Sequence, residues 1–209
     1  GFMLVHHAES GETLALDYRE KAPAKAGRDL FLDANGNVDK TKARFSHASV
    51  GVPGTVAGLV EAHRRFGRLP LERIIAPAIA FASDGLKVSP GLARNLRKRQ
   101  KRLMKWPATA AIFFKPDGGA YQAGETLMQR DLGESLRRIV ASKGRDFYSG
   151  QTAKAIAAEM AGNSGLITPR LWQLSWPPDR FHAAAILGRG ASGPDAEYPG
   201  KISPGRLRA

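Results

Sequence analysis

Residues 2–20 read FMLVHHAESGETLALDYRE, and the order of apolar and turn residues in this stretch decides the fold. FMLVH at 2–6 and TLALDY at 13–18 are apolar, β-prone runs. AESGE between them carries Ser10-Gly11, where a glycine takes a positive φ without a Cβ clash, so the stretch predicts a β-hairpin with two central strands. An isolated hairpin is at best marginal in water, so the rest of the chain must bring layers that cover it.

It brings helices. From residue 49, SVGVPGTVAGLVEAHRRFG reads as a short apolar strand, a Pro53-Gly54 corner and a helix over 54–66 with Val56, Leu59, Val60 and His63 on one stripe and Gly67 as a left-handed stop. A second helix is predicted over 70–84, with Ile74, Ile75, Ala78, Ile79 and Ala82 inward and Pro77 interrupting it. Ser89-Pro90 supplies an N-cap and a first-turn proline for a helix over 90–105. Asp131 and Glu134 stand at capping-box spacing for a helix over 131–143 stopped by Gly144, and Ser149 caps one over 150–161. AIFFKPDGGAYQ at 111–122 predicts strand, turn and strand, and FLDANGNV at 31–38 a hairpin with a type I′ turn at Asn35-Gly36. That second stretch superficially suggests a calcium loop, but counting from Asp33 the glycine comes fourth, where an EF-hand needs it sixth. Strands and helices mixed in this order predict an α+β fold.

The chain has 209 residues, 43% of them hydrophobic, enough for one domain or one and a part. No run reaches the ~18 consecutive apolar residues of a membrane span, and residues 1–25 lack the order of a signal peptide. Zero cysteines removes disulfides and thiolate chemistry. The formal charge of +13 is uneven, for Arg94, Arg97, Lys98, Arg99, Lys101, Arg102 and Lys105 lie in one acid-free segment. Leu92, Leu96 and Leu103 keep an apolar stripe there, so the basic side chains read as a solvated helix face; salt-sensitive, non-specific attraction of nucleic acid is the sharper reading. Gly51, Gly54 and Gly58 lack both P-loop and GxGxxG spacing and read as sites of close packing.

A search for catalytic groups yields no catalytic residue. Gly190-Ala191-Ser192-Gly193-Pro194 departs from GxSxG by ending in proline. His6, His7, His47, His63 and His182 show neither HExxH nor any paired metal-ligand spacing. Arg19 stands apart. A guanidinium just past a strand end offers a planar fork for two-pronged capture of a carboxylate, and its spacing equally fits an ion pair with Glu20 or Asp17.

The segments GFMLVHH (1–7), ALDYREKAPAKA (15–26), FLDANGNV (31–38), VGVPGTVAGL (50–59), LERIIAPAIAFASDGLKVS (71–89), GETLMQRDLGESLRRI (124–139) and FYSGQTAKAIAAEM (147–160) resemble, in this order, the large subunit of γ-glutamyltranspeptidases. The resemblance covers residues 1–168. It implies the large-subunit portion of an N-terminal-nucleophile αββα sandwich. It also implies transfer of a γ-glutamyl group, from glutathione or a related amide, to water or an amino acid. In that family a precursor cuts itself, and the new N-terminal threonine of the small subunit is nucleophile and, through its amine, base. The resemblance makes Arg19 the residue that grips the substrate's α-carboxylate and Glu20 its orienting partner. It further implies no metal or organic cofactor, and a periplasmic or extracellular location.

Departures from the family pattern carry expectations of their own. None of the threonines at 13, 41, 55, 109, 126, 152 and 168 sits in a threonine-led processing motif, and the small subunit is missing, so this chain alone is expected to be inactive. GFMLVHH opens without a starting Met, so the chain reads as an internal fragment. Six of the thirteen prolines and two of the three tryptophans fall after Thr168, and residues 169–209 read as an irregular tail, either disordered or out of frame. The competing functional reading is a decayed, non-catalytic domain that binds anionic partners through its basic helix, without specific recognition of nucleic acid. A third is a relative acting on another acyl amide.

Overall fold

In a computed structural model, the structure describes residues 1–169 and the backbone of 181–183. The opening hairpin forms from β1 (Phe2–His7) and β2 (Glu12–Asp17), paired antiparallel from Phe2↔Asp17 to His7↔Glu12. Gly11 takes φ 68° and donates its N–H to His7 O, which closes the turn. The helices follow as α1 (Lys40–Phe45), α2 (Thr55–Phe66), α3 (Leu71–Ser83), α4 (Pro90–Leu103) and α5 (Pro107–Phe113). After them come α6 (Arg130–Ser142), α7 (Arg145–Ser149) and α8 (Gln151–Gly162). A small ribbon joins β3 (Leu86–Lys87) to β4 (Thr126–Leu127). The last described strand, β5 (Phe181–Ala183), pairs antiparallel with β2, giving the order β1-β2-β5. Thus β2 is the central strand and β1 an edge among the described residues, where two central strands were expected. The stretch read as irregular contains β5, and its remainder from residue 170 lies outside the described residues.

Two apolar clusters hold these elements. Val52, Ala153, Met160 and Ile167 are buried with Phe147, Tyr148 and Ile156 against them, so the segment after the hairpin is tied to α7 and α8. Val88, Ala93 and Leu127 form the second, under α4. Ser89 caps α4 by accepting from Leu92 N, as the Ser-Pro pair predicts. α3 lies on α6, where a Cβ on Gly133 would fall 2.3 Å from Ser83 Oγ, so a larger residue there would force the serine hydroxyl to rotate away. Ile75 and Ile79 are partly buried and Ala82 fully, but Ile74 and Ala78 are exposed, because α6 covers a narrower stripe than the sequence offers.

Local signals were overridden at several points. Only Gly36 of the Asn35-Gly36 pair takes a positive φ, and Asp33 Oδ1 gathers the N–H groups of Asn35 and Asn37, so an aspartate-centred loop replaces the type I′ turn. Pro107 starts α5 where a strand was expected, leaving one bridge, Phe114↔Ala120. The apolar run at 49–52 forms a single bridge, Val52↔Lys21. Gly67 ends α2 with φ −69°, outside the left-handed region, and a Cβ there would meet the His63 ring at 2.4 Å, so glycine serves close approach. Gln129 occupies the N-cap of α6 without a side-chain bond and Glu134 pairs with Arg137, so no capping box forms.

The cap of α8 comes from Asp146 in α7, not from Ser149. Its Oδ1 accepts from Gln151 N at 2.7 Å, and its Oδ2 accepts from Thr152 N at 3.3 Å and from the Thr152 hydroxyl. The Thr152 hydroxyl, with those backbone N–H groups and Arg138, holds the carboxyl below its usual range. Asp146→Ala is expected to lower stability in urea denaturation by about 1–2 kcal/mol. Because the folded pKa is depressed, this contribution is present above the unfolded value of about 3.9 and is lost as pH falls through the lower folded value. The difference between the two proteins should therefore shrink only below about pH 4.

Candidate functional site

The end of β2 runs straight into Tyr18-Arg19-Glu20, and three contacts fix that tripeptide. Tyr18 donates its N–H to Gly1 O at 2.9 Å. Its side chain lies on α2 at Gly58, where an added Cβ would stand 2.3 Å from Tyr18 Cβ. Lys21 then exchanges both backbone hydrogen bonds with Val52, at 3.1 and 2.7 Å, so the backbone is pinned on both sides of Arg19-Glu20. α2 is itself anchored from α7: the Tyr148 hydroxyl donates to Pro53 O at 2.9 Å and accepts from Ala57 N at 3.1 Å. Burial pushes the Tyr148 phenol up to about 12, so it stays protonated as the donor this bridge requires.

Arg19 and Glu20 point away from this anchored backbone. Arg19 Nη2 donates to Glu20 Oε1 at 2.6 Å, with the two side chains 56% and 52% exposed. Arg19 is thus exposed, while Tyr18 takes the inward position next to α2. The Arg19 guanidinium also sits over the Phe2 ring, 5.9 Å from its centroid, and Arg19 N donates to Asp17 Oδ1 at 2.9 Å. The hydrogen bond from Arg19 holds the Glu20 carboxyl at about 2, and the same bond raises the Arg19 pKa. The two groups thus remain charged and paired across the ordinary pH range. Only one prong of the guanidinium is used in this pair, which leaves donors for a second carboxylate.

Gly51 makes room for the pair, since a Cβ there would lie 3.0 Å from Glu20 Cγ. Gly51 and Gly58 both serve close packing, as their spacing suggested. Tyr18 and Tyr148 were missed as positioning residues; both lie in the quoted segments, but nothing in spacing shows that one meets Gly58 and the other Pro53. The described histidine side chains are scattered: His6 Nδ1 lies 2.9 Å from Thr13 Oγ1, His7 Nδ1 3.2 Å from Ser10 Oγ, and His47 Nε2 3.1 Å from Glu159 Oε1. His63 Nε2 donates to Leu69 O at 2.8 Å. No group of three or more His, Asp or Glu able to hold a metal ion occurs among the described residues. The Gly190–Pro194 segment and the side chain of His182 lie outside them.

Comparison with known proteins shows what the chain as a whole is similar to. The profile of the Gamma-glutamyltranspeptidase family matches residues 1–170. A glutathione hydrolase proenzyme of Escherichia coli (strain K12) is 41% identical over 168 residues, which are 80% of this chain and 29% of that protein. The chain thus spans less than a third of the length of such relatives. The structure of Helicobacter pylori gamma-glutamyltranspeptidase superposes with a TM-score of 0.79 at 38% identity, over 82% of this chain and 49% of that one. Cephalosporin acylase from Bacillus halodurans superposes with a TM-score of 0.71 at 25% identity, over 88% and 34%.

Gly58→Ala tests the anchor. In an open helix this change would stabilise by about 1 kcal/mol, but the Cβ collision with Tyr18 should outweigh that gain. A net loss of roughly 1–3 kcal/mol in thermal unfolding is expected, and Tyr18→Ala in the same chain, which keeps the colliding Cβ, should not restore the helix gain, whereas Tyr18→Gly should relieve the clash.

Proposed function

The chain belongs to the γ-glutamyltranspeptidase family, and from that premise we propose that it is the large-subunit part of an enzyme that moves a γ-glutamyl group from glutathione or a related amide to water or an amino acid. Its α+β architecture is that of the N-terminal-nucleophile hydrolases. Arg19 is the residue that takes the α-carboxylate of the substrate. The observation that carries this reading is its setting: a guanidinium beyond the end of the central strand, on a backbone pinned at Tyr18 and Lys21, with one prong on Glu20. Glu20 then aims the fork, and an incoming carboxylate meets a preorganised charge rather than a mobile one.

The remaining chemistry belongs to other parts of the precursor. A threonine at the start of a small subunit supplies nucleophile and base, and a covalent acyl-enzyme splits one amide cleavage into two easier steps. Phe2 and Leu4 of β1 are 68% and 70% exposed on one face, which suits this reading, since a small subunit docked there would bury them. The 209-residue chain by itself is the scaffold and the carboxylate holder, without turnover. The family resemblance also favours a periplasmic or extracellular location.

Two measurements test the reading. The purified chain should release no chromophore from a γ-glutamyl anilide above a heat-denatured control, and sustained release would overturn the claim of inactivity. In the enzyme completed by its flanking segments and small subunit, Arg19→Lys should leave self-cleavage intact and lower kcat/KM for γ-glutamyl substrates by roughly tenfold or more, because lysine keeps the charge and loses the fork. A substrate without the α-carboxylate should be nearly indifferent. Equal losses for both substrates, with a drop in Tm, would make Arg19 a structural residue.

A further inference from the structure

Several cations among the described residues are paired with an acid: Arg64 and Arg65 with Glu61, Lys115 with Glu125, Arg137 with Glu134 and Arg138 with Asp146. The basic residues of α4 and of the turn after it differ, for none takes part in an ion pair among the described residues. At the carboxyl end of that helix the surface is concave. A cleft of about 550 Å³ opens between α1 and the junction of α4 with α5, lined in part by Asp39, Lys42, Phe45, Arg102, Lys105 and Trp106. A second hollow of about 320 Å³, reaching Arg44, shares Phe45 and Trp106 with it. Trp106 directly follows the basic run in sequence, and the fold places Phe45, from a segment some sixty residues earlier, in the lining of the same cleft. Phe45 and Trp106 are 46% and 43% exposed.

We infer that this cleft is a binding site for a nucleoside phosphate, free or within a single strand, with the base against Phe45 and Trp106 and the phosphate on Lys42, Arg102 and Lys105. The volume suits a ligand of that size. Three cations line it, Lys42 from α1, Arg102 from α4 and Lys105 from the turn after α4, and an anion relieves their mutual repulsion. A bland account covers only part of this: the carbonyl end of α4 favours a cation at Arg102, but not at Lys42 on α1 or at Lys105 beyond the helix. Asp39 is partly spoken for, since its Oδ1 accepts from Thr41 N and Lys42 N. Its other oxygen can accept from a sugar hydroxyl, which a bare polyphosphate does not offer. Exposed rings beside cations provide the stacking that a basic surface alone lacks. The site shares no residue with Arg19 and Glu20, so it stands or falls apart from the γ-glutamyl reading.

Titration calorimetry of the 209-residue chain at low ionic strength is the test, with ADP, adenosine, pyrophosphate, hexathymidylate and phosphatidylserine vesicles as probes. ADP should bind saturably and more tightly than adenosine or pyrophosphate. Trp106→Leu should weaken ADP about fivefold or more while leaving pyrophosphate unchanged, and Trp106→Phe should restore most of the loss. Phe45→Leu is the second ring variant. Arg102→Gln with Lys105→Gln should weaken ADP and pyrophosphate together, whereas Arg94→Gln with Arg97→Gln, on the same helix away from the cleft, should change ADP binding less than about twofold. Unchanged Tm in each variant shows that folding is intact. Hexathymidylate binding tighter than ADP would assign the ligand to a single strand, and weaker binding to the free nucleotide. Equal affinity for ADP and pyrophosphate, equal losses from the near and distant arginines, binding of vesicles alone, or no saturable binding of ADP would each overturn the proposal.

Discussion

The end of β2 lies against α2 at a distance that only glycine at position 58 permits, and most of the described structure around the carboxylate-binding candidate depends on that approach. A Cβ on residue 58 would overlap Tyr18 Cβ at 2.3 Å. Because neither atom is the end of a flexible side chain, relief would require the strand or the helix to move. Tyr18 therefore occupies the inward side of the chain, and Arg19 and Glu20 are left on the outward side. The tyrosine hydroxyl of residue 148 sets the other partner of this contact by holding Pro53 and Ala57, at the start of α2, with one donated and one accepted bond. Strand, helix and α7 are thus coupled through a few short contacts.

Charge is distributed by the same logic of what lies close. Glu61 on α2 is engaged by Arg64 first and Arg65 second, and its carboxyl is held at about 2. Asp146 is engaged by the threonine hydroxyl and the backbone that it caps. Glu20 is engaged by Arg19. In each case the acid keeps its charge because a donor sits within hydrogen-bonding distance, and the acid's position is decided by the local backbone. No cation of α4 takes part in an ion pair among the described residues, and Arg102 at its carboxyl end lines the cleft beside Trp106 together with Lys42, Lys105 and Asp39.

Much of the architecture was legible. The five helices predicted near 54–66, 70–84, 90–105, 131–143 and 150–161 form at Thr55–Phe66, Leu71–Ser83, Pro90–Leu103, Arg130–Ser142 and Gln151–Gly162, because each carries an apolar stripe at helical spacing. Caps and turns were less legible. Ser149 has the right residue type for a cap, yet Asp146 takes the role, since α7 folds it back to the same N–H groups with two oxygens in place of one. Asn35-Gly36 has the composition of a type I′ turn, but the nearby Asp33 accepts the loop's N–H groups first.

The sequence by itself determined the hairpin, the helix stripes, the family pattern and the identity of Arg19 as the residue to watch, since periodicity and motif order are local properties of the chain. It did not determine that Arg19 would be exposed, that Tyr18 would turn inward or that Phe45 and Trp106 would line one cleft. Those depend on which surfaces pack, and packing is settled by volumes and distances between residues far apart in the chain. The glycines show the division clearly. Their spacing announced close contact at 51 and 58, and only the folded chain decided that the neighbours would be Glu20 and Tyr18.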